Sequence, residues 1–120
     1  MLLSEAIRLG AAMGPKISYC DLFGPDDSSC ALGSAAIAIG LTRHPLNAYG
    51  ELRAAWPQLD RLQADKQGNL MAAIYRRNDL YNWTREEIAD WLVSSGNDCE
   101  SVQQQEAVET EAAELVTVRI

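Results

Sequence analysis

Apolar residues recur along most of this chain at the spacing of helices, and only rarely alternate as strands require. Leu3, Ala6, Ile7, Gly10 and Ala11 fall at i, i+3, i+4, i+7 and i+8, one stripe of an amphipathic helix. Ser4 is read as its N-cap, Glu5 suits the first turn, and Gly14-Pro15 ends the run. Residues 15–27, "PKISYCDLFGPDD", form an irregular connection whose Ile17, Tyr19, Leu22 and Phe23 are expected to pack onto the body. A second helix is predicted over 28–40, "SSCALGSAAIAIG", opening at an Asp27/Ser28 cap and closing at Gly40. It carries no charge between those ends, which predicts a central, buried position. Pro45 suits a first helical turn, and Leu46, Tyr49, Leu52 and Trp56 make a stripe. Pro57 kinks or restarts the helix before Leu59 and Leu62. "ADKQGN" at 64–69 reads as a turn. A fourth helix runs from about Leu70 to Asn78, with Leu70, Met71, Ile74 and Tyr75 inward and Arg76-Arg77 at the solvent edge.

The most legible stretch is "NWTREEIADWLVSSG", residues 82–96. Thr84 and Glu87 are spaced as a capping box, in which each side chain satisfies the other residue's free backbone N–H. Trp83 and Ile88 stand where a hydrophobic staple is found, and Gly96 stands where a left-handed C-terminal cap is expected. Start, apolar face and stop agree on a helix over 85–95. The fold predicted is therefore all-α: a compact bundle of four to five short helices. It forms one domain over residues 3–96. Residues 97–120 follow as an acidic, partly ordered extension with a thin stripe of Val108, Ala112 and Leu115.

Composition narrows this picture. At 120 residues the chain suits one domain and buries roughly two thirds of its unfolded surface without disulfides or metals. No apolar run approaches 18 residues, so no membrane span is expected. The opening "MLLSEAIRLGAAMG" has an early acid and no positively charged leader, and is not read as a signal peptide. Three scattered cysteines, Cys20, Cys30 and Cys99, read as reduced thiols of a cytoplasmic protein. Net charge is −7, and residues 97–120 alone contribute −5, from six acids against Arg119. Duplex DNA and anionic lipid would both repel that extension.

Candidate chemistries divide accordingly. A helix-turn-helix regulator built on residues 70–95 is the alternative functional reading, because "REEIADWL" resembles a supporting helix of such motifs. A second helix drawn from 99–115 would carry no Lys or Arg and five glutamates. If 85–95 were the reader, Arg85 would be its one cation beside Glu86, Glu87 and Asp90. Recognition of phosphates and base edges needs donors, so nucleic acid is not the expected partner. Cys20, Cys30, His44 and Cys99 are separated by nine, thirteen and fifty-four residues, whereas zinc ligands come in close pairs. No metal or cofactor is expected. The single His44 stands before a proline with no nucleophile elbow nearby, and Asp26-Asp27 and Glu86-Glu87 are accounted for by solvation and helix polarity. No catalytic set is expected.

What remains are contact residues. Most Trp and Tyr fall on inner helix faces, but Tyr81 and Trp83 are the candidates for a partner-binding patch, since these residue types are enriched in interface hot spots. Glu106, Glu109 and Glu111 belong to an arm that suits a basic surface on a protein partner. The small residues Gly33, Ser34, Ala35, Ala36 and Ala38 serve either close packing within the chain or a homodimer through residues 28–40.

Three segments together, "LSEAIRLGAAMGP", "SSCALGSAAIAIG" and "NWTREEIADWL", resemble a family of small uncharacterised proteins of phages, prophages and bacterial genomes. Its members have helices of the LSEAIRLGA, CALGAA and WTREEIADWL type in this order, and many carry a cysteine-rich middle suited to zinc. Here the middle, "ELRAAWPQLDRLQADKQGNL", has no cysteine. The resemblance implies a mobile-element context and carries over no functional residue. The expectation is a non-enzymatic protein-interaction or regulatory factor.

Overall fold

A computed structural model describes residues 1–18, 22–41, 45–66 and 68–102. Six α-helices are found among them: α1 (Leu3–Ala11), α2 (Ala31–Ala38), α3 (Pro45–Ala55), α4 (Gln58–Arg61), α5 (Leu70–Tyr75) and α6 (Arg85–Ser94). The fold is mainly helical and compact, but it is not purely α. Strands β1 (Gln63–Asp65) and β2 (Gly68–Asn69) form an antiparallel hairpin where only a turn was expected. The polar run "ADKQGN" marks the bend correctly. Its flanks of two and three residues are too short for an alternating pattern to register. Asn69 ends β2 and also caps α5, its side chain accepting from the N–H of Ala72 at 2.9 Å.

The core collects around α1, which packs against α2 on one side and α6 on the other. Leu3, Ala6 and Ile7 meet Leu32, Ala35, Ile88, Ala89 and Leu92 in one buried cluster. Contact between α1 and α2 is backbone to backbone. A methyl group at Gly10 would lie 1.7 Å from the Ser34 carbonyl oxygen, and one at Gly33 would lie 1.9 Å from that of Leu22. Ala31 to Ala36 are all buried within the chain, so on α2 and its C-cap only Ile37, Ala38 and Ile39 keep partial exposure. The small residues of 28–40 are thus already in use internally. That leaves a homodimer through this segment a narrow strip of surface. Trp56, Leu59, Leu70 and Ile74 extend the core beneath α3 to α5, and Pro57 separates α3 from α4 as expected of a restart.

Three local expectations are corrected. Ser4 is not the N-cap of α1, since Leu2 holds that position without a side-chain bond. Instead Asp98, ninety-four residues away, accepts from the Ser4 N–H at 3.0 Å and from its hydroxyl. Cys30, not Asp27 or Ser28, caps α2, with its sulfur 3.4 Å from the Gly33 nitrogen. Residues 97–102, read as the start of the extension, are docked. Leu3 N–H donates to Cys99 O at 2.9 Å, Ser101 N–H to Met1 O at 2.9 Å, and Val102 N–H to Ala55 O at 2.7 Å. Cys99 is buried by these contacts. The packed body therefore continues to Val102, past the expected boundary at residue 96.

Candidate functional site

The helix expected over 70–78 changes character at Arg76. Residues Arg76–Leu80 form a π-helical turn, closed by Tyr81 N–H donating to Arg76 O at 2.9 Å. Such widened turns are frequent at functional sites. The backbone then turns sharply at Asn82, which has a positive φ of 53°, tolerated by a short polar side chain. Trp83 N–H returns to Arg77 O at 2.8 Å, so residues 77–83 close on themselves.

Two buried groups fix this loop to the body. Asn78 is fully buried; its amide donates to Ile17 O at 2.9 Å and Asp79 Oδ1 at 2.8 Å, and its oxygen accepts from the N–H of Ala31 at 3.1 Å. One side chain thereby joins the 15–27 connection, the start of α2 and the π turn. Arg77, placed by the sequence reading at the solvent edge, is the second. Its guanidinium stacks 3.8 Å from the Trp91 ring centroid and 5.3 Å from that of Trp83, and Nη1 donates to Ala73 O at 3.0 Å. Its Nε is buried with no hydrogen-bond acceptor among the described residues, while the ring faces stabilise the guanidinium charge as a whole. Arg76 also departs from expectation: it grips both oxygens of Asp65 in β1, at 2.7 and 2.8 Å. The two arginines keep only 18% and 14% side-chain exposure.

On this rigid base stand Leu80, 74% exposed, and Tyr81, 54% exposed. Trp83 and Trp91 are half-buried beside the Arg77 stack. Of the partner-binding candidates, Tyr81 and Trp83 fall together here. Glu106, Glu109 and Glu111 lie outside the described residues. Sequence reasoning missed Leu80, Arg77 and Trp91. Trp91 lies on α6, whereas Trp83 precedes its N-cap Thr84, so no single helical spacing joins the two rings. Nothing in the sequence told that Arg77 would fill the gap.

The other candidates resolve differently. Arg85, the lone cation of α6, turns inward: Nη1 donates to Ser29 Oγ and Ser34 Oγ, both at 3.2 Å, and Nη2 to Gly14 O at 2.7 Å. Glu86 and Asp90 pair with Arg8 of α1. Burial pushes the Cys30 thiol up to about 11. Burial, then the charges of Asp98 and Glu100, pushes the Cys99 thiol up to about 11. Both are protonated near neutral pH, unlike an activated nucleophile. Cys20 and His44 lie outside the described residues. Among the described residues no three of His, Cys, Asp and Glu are grouped to hold a metal ion. No described helix is long and apolar enough to cross a membrane.

These features define a small helical protein with one short hairpin and an exposed apolar loop on a locked base. No family model, no curated protein and no solved structure matches the chain.

Proposed function

We propose that this chain is a small non-enzymatic protein-interaction factor that contacts its partner through Leu80 and Tyr81, with Trp83, Trp91 and Arg77 beneath them. The observation that carries this reading is a large apolar pair, adjacent and mostly exposed, on a loop held by the buried Asn78 and the Arg77 stack. Presenting such residues on a rigid base lowers the entropy lost on binding, and Trp, Tyr and Arg dominate interface hot spots. The net charge of −7 favours a partner with a basic surface. The resemblance to phage and prophage proteins suggests a host protein in that role. The DNA-binding alternative on residues 70–95 is weaker, because Arg85 is engaged with Ser29, Ser34 and Gly14 while Glu86 and Asp90 stay at the surface.

The test uses a Leu80→Asp/Tyr81→Asp double variant, with thermal melting to establish that it folds. A partner captured by cross-linking is identified, purified and titrated calorimetrically against both proteins. An affinity loss of about 30-fold or more, the size of a hot-spot effect, is expected. Equal affinity for wild type and variant would overturn the assignment of the surface.

A further inference from the structure

The exposed pair Leu80 and Tyr81 is held from a distance, and the holding begins in the hairpin. Asp65 stands at the end of β1, opposite Gly68 of β2. Two contacts fix the hairpin to α5. Leu70 N–H donates to Leu62 O at 2.9 Å across its base, and Asn69 caps the helix through the Ala72 N–H. A methyl group at Gly68 would lie 3.3 Å from that of Ala72 and 3.8 Å from Arg76 Nη1, so the hairpin rests directly on the helix. From this place Asp65 reaches both arginines of the π turn. Its two carboxylate oxygens accept from Arg76 Nη2, at 2.7 and 2.8 Å, and Oδ2 also stands 3.5 Å from Arg77 Nη1.

The same two arginines close the loop through their backbones. Arg76 O accepts from Tyr81 N–H at 2.9 Å, and Arg77 O accepts from Trp83 N–H at 2.8 Å. Each residue therefore carries an anchor at the end of its side chain and a loop bond at its carbonyl. The π turn itself is a rare geometry that α-helical bonding does not supply. Side-chain exposures of 18% for Arg76 and 28% for Asp65 set this pair apart from fully solvated ion pairs, which are screened and contribute little. Removing the carboxylate would leave Arg76 charged and mostly buried, with an Nε that already lacks an acceptor among the described residues. Arg77 stands differently. Its contact to Asp65 is long, and Ala73 O and the rings of Trp83 and Trp91 hold it independently. Asp65 thus bears chiefly on Arg76, and through Arg76 on Tyr81.

We propose that Asp65 is a positioning residue for the contact surface: through Arg76 it fixes the π turn, and with it the place of Leu80 and Tyr81, while standing outside the contact pair. The role rests on the reading of Leu80 and Tyr81 as contact residues, but its mechanical part is measured without a partner. Backbone amide exchange, followed by nuclear magnetic resonance in the full chain, compares wild type with Asp65→Asn. Tyr81 N–H is expected to exchange about tenfold faster in the variant and Trp83 N–H to change less. Ala6 and Ile88 N–H, bonded in α1 and α6, should stay within about twofold of wild type. Arg76→Gln should have the same effect, and the two changes together no more than the larger single one, because both break one contact. Asp65→Glu, which keeps the charge, should recover part of the protection. Unchanged exchange at Tyr81, equal acceleration in α1 and α6, or additive effects in the double variant would each overturn the proposal. Loss of folding in both single variants would do so too, since it would assign Asp65 to the body rather than to the loop. Once a partner is in hand, Asp65→Asn should weaken it about threefold, less than Leu80→Asp/Tyr81→Asp, because a loosened loop loses more entropy on binding. Faster Tyr81 exchange with unchanged affinity would overturn the positioning role and leave the contact surface standing. Indifference of the partner to Leu80→Asp/Tyr81→Asp would instead strike the surface, and the positioning role with it, while the coupling of hairpin to loop remained.

Discussion

At the scale of single residues, the side chains that matter most here are polar ones taken out of water. Asn78 uses its amide on both sides, so an ordinary surface residue type becomes a three-way tie. Arg77 shows the same inversion. An Arg-Arg pair after an apolar run reads as a solvated edge, and only the arrival of two tryptophan faces and Asp65 turns it inward. Cys30 is a buried cap whose thiol keeps its proton more tightly in the folded chain, with a value of about 11 against an ordinary 9.0. Its sign follows directly. Where the folded state binds the proton more tightly, stability is full below the ordinary value and is lost as pH rises from about 9 toward about 11. Chemical denaturation across that range should show stability falling. Cys30→Ser, which keeps an acceptor for Gly33 N–H but does not titrate there, should show a shallower fall. Identical slopes for the two proteins would mean that this thiol is not a source of the loss.

At the scale of elements, the helix starts that are capped by side chains do not always draw the cap from nearby. The Thr84–Glu87 capping box is closed as its spacing predicts, with Glu87 N–H donating to Thr84 Oγ1 at 3.0 Å and Thr84 N–H to Glu87 Oε1 at 3.0 Å. Gly96, at a φ of 76°, ends α6 as expected. Both motifs are local, so four or five consecutive residues contain all the information. For α1 the reading chose Ser4, the only hydroxyl at hand, whereas the structure recruits Asp98 from the far end of the body. A carboxylate at the positive end of a helix also gains from its dipole. Asp98→Ala should cost about 1–2 kcal/mol in urea unfolding at neutral pH, the usual range for losing an N-terminal cap. Asp98→Asn, which keeps an oxygen acceptor, should recover part of that. No change in Asp98→Ala would show that the contact contributes nothing to α1.

For the molecule as a whole, the two ends of the body are stitched together. Leu3 to Cys99, Met1 to Ser101 and Ala55 to Val102 are backbone contacts between distant segments, and Trp56 Nε1 donates to Met1 O at 3.3 Å. Trp83 and Trp91 report from the Arg77 stack. Since one buried cluster includes residues from α1 through Cys99, unfolding should be a single cooperative event. Urea transitions followed by helical circular dichroism and by tryptophan fluorescence are expected to coincide. A separate fluorescence transition would divide the body into two units.

Local rules were enough for the helical periodicity, the restart at Pro57, the box at Thr84 and the stop at Gly96, because each depends on neighbours within about one or two helical turns. Tyr81 and Trp83 are singled out by residue type; the structure leaves Tyr81 exposed and Trp83 half-buried beside Arg77. Only the tertiary structure decided that Arg77 lies between Trp83 and Trp91, that Asp98 serves α1, and that Arg85 turns inward to Ser29, Ser34 and Gly14. Those arrangements join residues up to ninety-four positions apart. Burial and charge balance are properties of such meetings, and no window along the chain contains both parties.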